Sequence, residues 1–148
     1  MPRHEFHLTA EWNGGRNGEG KISAGHLNTQ ISIPEEMDGP GIGTNPDEML
    51  IGAAATCYII TLAAMIERKG IPLSSLSLKT VGGVREDRGL KFESITHKPV
   101  VVLDAAATEE QVKYVEGAAE RAEQTCMISN ALRGNVRLEV EATVTVAR

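Results

Sequence analysis

The chain carries two cysteines, Cys57 and Cys126, and each stands in a phrase suited to a reactive thiol. Cys57 lies inside an apolar, alanine-rich run, Met49-Leu50-Ile51-Gly52-Ala53-Ala54-Ala55-Thr56-Cys57-Tyr58-Ile59-Ile60. Cys126 opens Cys126-Met127-Ile128-Ser129-Asn130-Ala131-Leu132-Arg133-Gly134-Asn135. If the two thiols meet in space they make one dithiol that can cycle to one disulfide, which is redox chemistry. Spacing along the chain does not say whether they lie within disulfide range. For each, the competing reading is an inert core cysteine, because a buried free thiol behaves as a small hydrophobe.

The surroundings set different demands on the two. Cys57 follows Asn45, the expected helix cap, by twelve residues. The positive end of a helix dipole fades within the first turn, so it does not lower this thiol's pKa, and burial among Ala53, Ala54, Ile60 and Thr61 raises it. A reactive Cys57 therefore needs a cation brought from elsewhere. Arg16, in the glycine-rich turn Gly14-Gly15-Arg16-Asn17-Gly18, is the first candidate, since glycines let backbone approach closely. Arg133 is its competitor. Cys126 is placed at the end of a second helical pattern, where the dipole disfavours a thiolate. It suits a resolving thiol better than an attacking one.

Other chemistries find no support. His4, His7, His26 and His97 are scattered and make no ligand spacing with the cysteines, so no metal site is expected. The glycine-rich turn lacks the Gly-Lys-Ser/Thr of a phosphate loop, and no Gly-x-Ser-x-Gly elbow occurs. The net charge of −5 is mixed along the chain without a basic run, which argues against nucleic acid as a partner.

A length of 148 residues suits one domain, 1–148. With 3% aromatics the core must be built from Val, Ile, Leu, Ala and Met, which is thin for a lone chain, so burial against a partner chain is expected. The apolar run from Met49 to Ile66 is about the shortest that spans a membrane. Gly52, Thr56, Thr61 and its many alanines favour a buried helix instead. No secretory signal pattern opens the chain, and a cytoplasmic location follows, where permanent disulfides are rare.

Alternation predicts a half-buried strand from His4 to Trp12, then short strands over Lys21–Ala24 and Leu27–Ile33 and a loop from Pro34 to Thr44. Asn45 as N-cap, Pro46 at the first helical position and acidic Asp47 and Glu48 mark the start of a long helix to about Lys69, stopped by Gly70 and Pro72. Two strands, Leu73–Val84 and Leu90–Leu103, flank a turn near Glu86-Asp87-Arg88-Gly89. Pro99 predicts an edge strand or a bulge in the second. Thr108-Glu109-Glu110-Gln111 is a capping box for a second helix, with Val112, Val115, Ala119, Ala122 and Cys126 as its buried stripe. Val136 to Val146 alternates cleanly as the last strand. The order β-β-β-α-β-β-α-β, with strands in antiparallel pairs, is an α+β domain.

These motifs resemble a known family. Thr44-Asn45-Pro46-Asp47-Glu48-Met49-Leu50, running into Ala54-Ala55-Thr56-Cys57, is similar to the first cysteine motif of the OsmC/Ohr family of thiol peroxidases, the organic hydroperoxide resistance proteins and their kin. The phrase from Cys126 to Asn135 is similar to its second, and Gly14–Gly18 resembles the arginine turn of the Ohr branch. The resemblance implies an OsmC-like α+β fold with antiparallel sheets around two long helices, and an intertwined homodimer with active sites at the subunit interface. It implies reduction of organic hydroperoxides to alcohols, with Cys57 peroxidatic, Cys126 resolving, Arg16 the activating cation and Asp47 its acidic partner. It implies a Cys57–Cys126 disulfide recycled by an external dithiol, in this family a dihydrolipoyl carrier, and no metal or organic cofactor.

Two departures stand out. The Ohr branch usually has a proline after its second cysteine, where this chain has Met127. Asp47 stands where glutamate is common, about 15 Å along a straight helix from Cys57 at about 1.5 Å per residue. Either the chain bends near Asp47 or Asp47 orients Arg16 indirectly, with Glu48 as the other carboxylate candidate. A dithiol redox sensor and a non-catalytic stress-response binding protein are the alternative functions on the same fold.

Overall fold

The glycine-rich segment after Trp12 closes a hairpin in the computed structural model, which describes residues 1–148. β1 (Thr9–Asn13) pairs antiparallel with β2 (Glu19–Ala24), and β2 with β3 (Leu27–Ile31). The turn needs its glycines. Gly14 has φ +99°, and a Cβ at Gly18 would run into the carbonyl oxygen of Asn13. Strand pairing starts at Thr9 rather than at His4, and β1 is exposed along its whole length rather than half-buried. Phe6, Leu8 and Trp12 are left open.

The loop from Pro34 to Thr44 is more ordered than its composition predicts. It holds a 3-10 turn over Glu35–Met37 and returns to the end of β3, where Ile31 bridges Thr44. Ser32 fastens it by giving its Oγ proton to Ile42 O (2.8 Å) and accepting the Ile42 N–H (2.6 Å). Chain contacts divide the protein into two compact units, Met1–Met49 and Leu50–Arg148.

α1 (Pro46–Arg68) starts where its caps place it: Asn45 Oδ1 accepts the Glu48 N–H at 2.9 Å. It ends at Gly70, with φ +72°. Its buried residues, Ala54, Tyr58, Leu62 and Ile66, recur every fourth position and form one stripe. Tyr58, Leu62 and Ile66 join Ile71, Val101, Leu103, Val115, Ala118 and Ala122 in the core. The helix is apolar on every face, yet within one chain only this stripe is fully covered, and Ile60 stays 62% exposed.

β4 (Leu73–Glu86) and β5 (Leu90–Leu103) form the long antiparallel pair the sequence predicts. Pro99 behaves otherwise than expected. β5 is central, with β4 on one side and β6 (Arg137–Val140) and β7 (Thr143–Val146) on the other, and the irregularities of register lie at Leu73/Ser75 and Gly83/Val84. His97 O accepts the Glu141 N–H and Leu103 O accepts the Ala147 N–H, so odd-numbered residues of this stretch turn toward β6 and β7. Pro99 therefore faces the gap between Val140 and Thr143, where its missing N–H breaks the ladder.

The same proline explains why the last strand is two. Ser94 pairs with Arg137 and Val100 with Thr143, an unchanged offset across the break. The alternation from Val136 to Val146 is thus one strand interrupted where Pro99 offers no N–H. Both pieces run parallel to β5, against the antiparallel pairing expected of every strand, while the first sheet is antiparallel throughout.

Thr108 and Gln111 form the expected capping box of α2 (Glu109–Thr125). Val115, Ala118, Ala119 and Ala122 are its buried apolar residues. A short helix missed by periodicity follows, α3 (Met127–Leu132), and Cys126 is the junction: last cap of α2 and N-cap of α3.

Candidate active site

Cys57 projects from the middle of α1 and is half-buried, while Cys126 is wholly buried between α2 and α3. The fold brings the two together as free thiols, close enough for each to act on the other's ionisation. Around Cys57 the structure supplies what the sequence reading sought from a cation. The backbone amides of Met127 and Ile128, at the start of α3, lie near enough to favour its ionised form. Thr61, one turn along α1, donates to Cys57 O at 2.7 Å and lies against the same sulfur.

Burial pushes the Cys57 thiol up. The neighbouring Cys126 thiol, the Ile128 and Met127 amides and the Thr61 side chain together outweigh it, and the Cys57 pKa is lowered from the ordinary cysteine value. Burial and the hydrogen bond to Cys57 push Cys126 the other way, only partly offset by Ser129 and by the Ile128 amide. The pair is thus unequal: Cys57 gives up its proton more readily than Cys126. A partly accessible thiolate beside a buried thiol can attack an electrophile and then be captured as a disulfide.

The sequence predicts Cys126 at the negative end of a helix, and it is the C-cap of α2. It is also the N-cap of α3, with Sγ accepting the Ser129 N–H at 3.5 Å. Thr61 and Ser129 were missed, yet both had a signal. Thr61 is four residues from Cys57, the spacing of neighbours on a helix face. Cys126-x-x-Ser129 has the spacing of a capping box.

Arg133 is not free to serve Cys57. Its Nη2 pairs with Glu123 Oε1 at 2.9 Å and reaches Glu123 O and Asn130 Oδ1. That contact answers a nearly buried carboxylate, which needs a partner. Arg16 is exposed and clamps its own unit: Nη2 donates to Met37 O (2.8 Å), and Nη1 to Asp38 O (3.2 Å) and Asn17 Oδ1 (2.9 Å). It thus caps the carbonyl end of the 3-10 turn and makes no ion pair with Asp47 or Glu48 in this conformation. Asp47 and Glu48 lie in the first turn of α1, so the chain is helical there rather than bent, and Glu48 Oε1 accepts the Thr44 hydroxyl proton at 2.8 Å.

Behind Cys57, Tyr58 gives its hydroxyl proton to Ala119 O at 2.7 Å and stacks on His97, with ring centroids 4.4 Å apart. His97 is fully buried. Its Nδ1 meets Thr80 Oγ1 at 2.9 Å and its Nε2 has no partner. Burial lowers its pKa to about 4.

Comparison with known proteins adds to this geometry. The family model described as OsmC-like protein matches residues 39–141. "Uncharacterized protein YmaD" of Bacillus subtilis is 52% identical over 145 residues, covering 97% of both chains. The "Organic hydroperoxide resistance protein" of Xanthomonas axonopodis pv. citri is 31% identical over 144 residues, covering 95% of this chain and 92% of the other. Among solved structures, an OsmC-like protein of Vibrio cholerae superposes with TM-score 0.79 at 14% identity, covering 95% of this chain and 99% of the other. The organic hydroperoxide resistance protein OhrB of Bacillus subtilis superposes with TM-score 0.69 at 22% identity, covering 93% and 98%. At these identities the two structures speak for the fold alone.

Proposed function

This chain belongs to the OsmC-like family, and from that premise we propose that it is a thiol-dependent peroxidase reducing organic hydroperoxides to alcohols. The observation that carries the reading is the pairing of Cys57 with Cys126, with ionisation shifted in opposite directions. The Cys57 thiolate attacks the terminal peroxide oxygen. An S–O bond forms, the O–O bond breaks, and the alkoxide leaves as an alcohol after taking a proton from solvent. Cys57 is then a sulfenic acid. The Cys126 thiol displaces its hydroxyl as water, closing a disulfide, and an external dithiol, by resemblance a dihydrolipoyl carrier, restores both thiols by exchange. In this proposal Arg16 and Asp47 keep the roles the resemblance gives them, cation and acidic partner. The family match spans the boundary at Met49, which supports one functional domain over 1–148. A dithiol cycle of this kind suits a reducing, cytoplasmic setting.

The test is steady-state consumption of an organic hydroperoxide with dihydrolipoamide, beside hydrogen peroxide. Faster turnover of the organic substrate supports the reading, and no turnover by a folded protein with two titratable thiols sinks it.

A homodimer is part of the same proposal. α1 is long and apolar on every face, yet most of it stays uncovered within one chain, and Phe6, Leu8 and Trp12 are open. By length and composition α1 could cross a membrane. Its Ala54–Ile66 stripe packs into a protein core, so we read its open faces as the surface a second copy covers. Sedimentation in detergent-free buffer should give twice the 15.9 kDa chain mass; a monomer, or solubility only in detergent, would overturn this.

Met127→Pro tests the amide donors directly. Proline suits the first position of a helix, Cys126 already has the extended backbone a following proline requires, and the Met127 side chain is exposed. Only the N–H is lost. The Cys57 pKa should rise and single-turnover oxidation at neutral pH should slow about tenfold. An unchanged thiolate titration at 240 nm would show that this amide is idle.

A further inference from the structure

Ser129 is fully buried at the third position of α3. Its backbone N–H donates to Cys126 Sγ at 3.5 Å. Its hydroxyl has no hydrogen-bond partner while Cys126 is a thiol, yet it belongs to the same residue and favours the ionised form of that sulfur. A buried serine hydroxyl ordinarily finds an oxygen or nitrogen. This one is uncommitted, so a single residue sets one amide donor on Cys126 and holds a second, unused donor beside it.

Cys126 does not attack the peroxide in the proposed cycle; it enters only afterwards, when it condenses with the Cys57 sulfenic acid. Its need for donors is greatest at a later moment. When an external dithiol reduces the Cys57–Cys126 disulfide, one sulfur is attacked and the other leaves as a thiolate. Leaving-group chemistry alone would favour expelling Cys57, the sulfur with more donors around it. Access decides otherwise: Cys126 is fully buried and Cys57 partly exposed, so the incoming thiolate reaches Cys57. Negative charge then develops on a sulfur that water does not reach.

We infer that Ser129 serves the reductive half of the cycle, its hydroxyl and amide holding Cys126 Sγ as the leaving thiolate while a dithiol attacks Cys57. This rests on the peroxidase reading and extends it. The electrons balance. The reductant's thiolate forms a new S–S bond to Cys57 as the Cys57–Cys126 bond breaks, and the electron pair goes to Cys126. The reductant's second thiol then closes on its own sulfur, releasing Cys57 and leaving a cyclic disulfide. Protons from the reductant's two thiols balance the two thiols regained.

The experiment compares wild type with Ser129→Ala, a change of one buried oxygen. Both proteins are first oxidised to the disulfide with diamide, which needs no peroxidase activity, and then reduced with excess dihydrolipoamide. Reduction of Ser129→Ala should be about tenfold slower, the loss expected when one hydrogen bond to a developing charge is removed. The first oxidation of Cys57 by one equivalent of cumene hydroperoxide should stay within about twofold of wild type, which a general loosening of the site would not allow. Reduction with a monothiol, quenched by alkylation and mapped by mass, should place the mixed disulfide on Cys57. Equal reduction rates, parallel slowing of both half-reactions, or a mixed disulfide on Cys126 would each overturn the inference. Failure of the peroxidase reading would show elsewhere, as wild type that ignores hydroperoxide while its diamide-formed disulfide is still reduced more slowly without Ser129.

Discussion

Replacing Cys57 with serine is expected to lower hydroperoxide turnover at least about a thousandfold, the scale on which loss of a catalytic nucleophile is felt. A serine hydroxyl stays protonated where the Cys57 thiol ionises, because the Met127 and Ile128 amides and the Cys126 thiol supply a few hydrogen bonds against the much larger acidity gap between alcohol and thiol. Cys126→Ser should behave differently. Cys57 keeps its amide donors, so one equivalent of hydroperoxide is consumed, and the cycle then stops at a sulfenic acid with no resolving thiol to capture it. A dimedone adduct on Cys57, found only in Cys126→Ser after a single equivalent, is the signature to look for by mass. Were both variants to turn over like wild type, the cysteines would be core residues and the peroxidase reading would be lost.

The second large effect is on stability in acid, and it comes from His97. The ring is stacked on Tyr58 with Nε2 unpartnered, in a site that burial keeps neutral. Its folded pKa is about 4, below the ordinary histidine value of 6.5. Above about pH 6.5 neither the folded nor the unfolded state holds the proton, and the contribution is constant. As pH falls from about 6.5 to about 4, the unfolded chain binds a proton that the folded chain refuses, so stability is lost across that window. A gap of this size, at about 1.4 kcal/mol per pH unit, is worth about 3 kcal/mol by pH 4. Urea unfolding at pH 7.5 and pH 4.5, at one protein concentration, should show the loss in wild type and a smaller one in His97→Phe, which keeps an aromatic ring against Tyr58. Carboxylates titrate alike in both proteins, so the difference isolates His97. Parallel pH profiles would mean the ring already shares a proton with Thr80 or solvent on equal terms with the unfolded state.

Much of this protein was legible in its residues because the deciding forces act locally. Asn45-Pro46 and Thr108-x-x-Gln111 start α1 and α2 by satisfying N–H groups within one turn. Alternation placed most strands, and the two cysteine phrases with the arginine turn identified the family that the match over residues 39–141 establishes. α3 escaped notice since six residues are too few to show a helical period, and with it went the second role of Cys126 as an N-cap. Pro99 misled because a proline says that a donor is missing, not which neighbour would have needed it.

By itself, then, the sequence determined the helix starts, the strand alternation, the family and the identity of the two thiols, all written in caps, periods and short phrases that span a few residues. Tertiary structure alone decided that β6 and β7 run parallel to β5, that Arg133 answers Glu123 and Arg16 the Met37 and Asp38 carbonyls, and that α3 turns its first amides on Cys57. Those facts join residues distant in the chain. Their meeting depends on which elements pack together once the core around Tyr58, Leu62 and Val115 closes, and no local pattern of residue types encodes that choice.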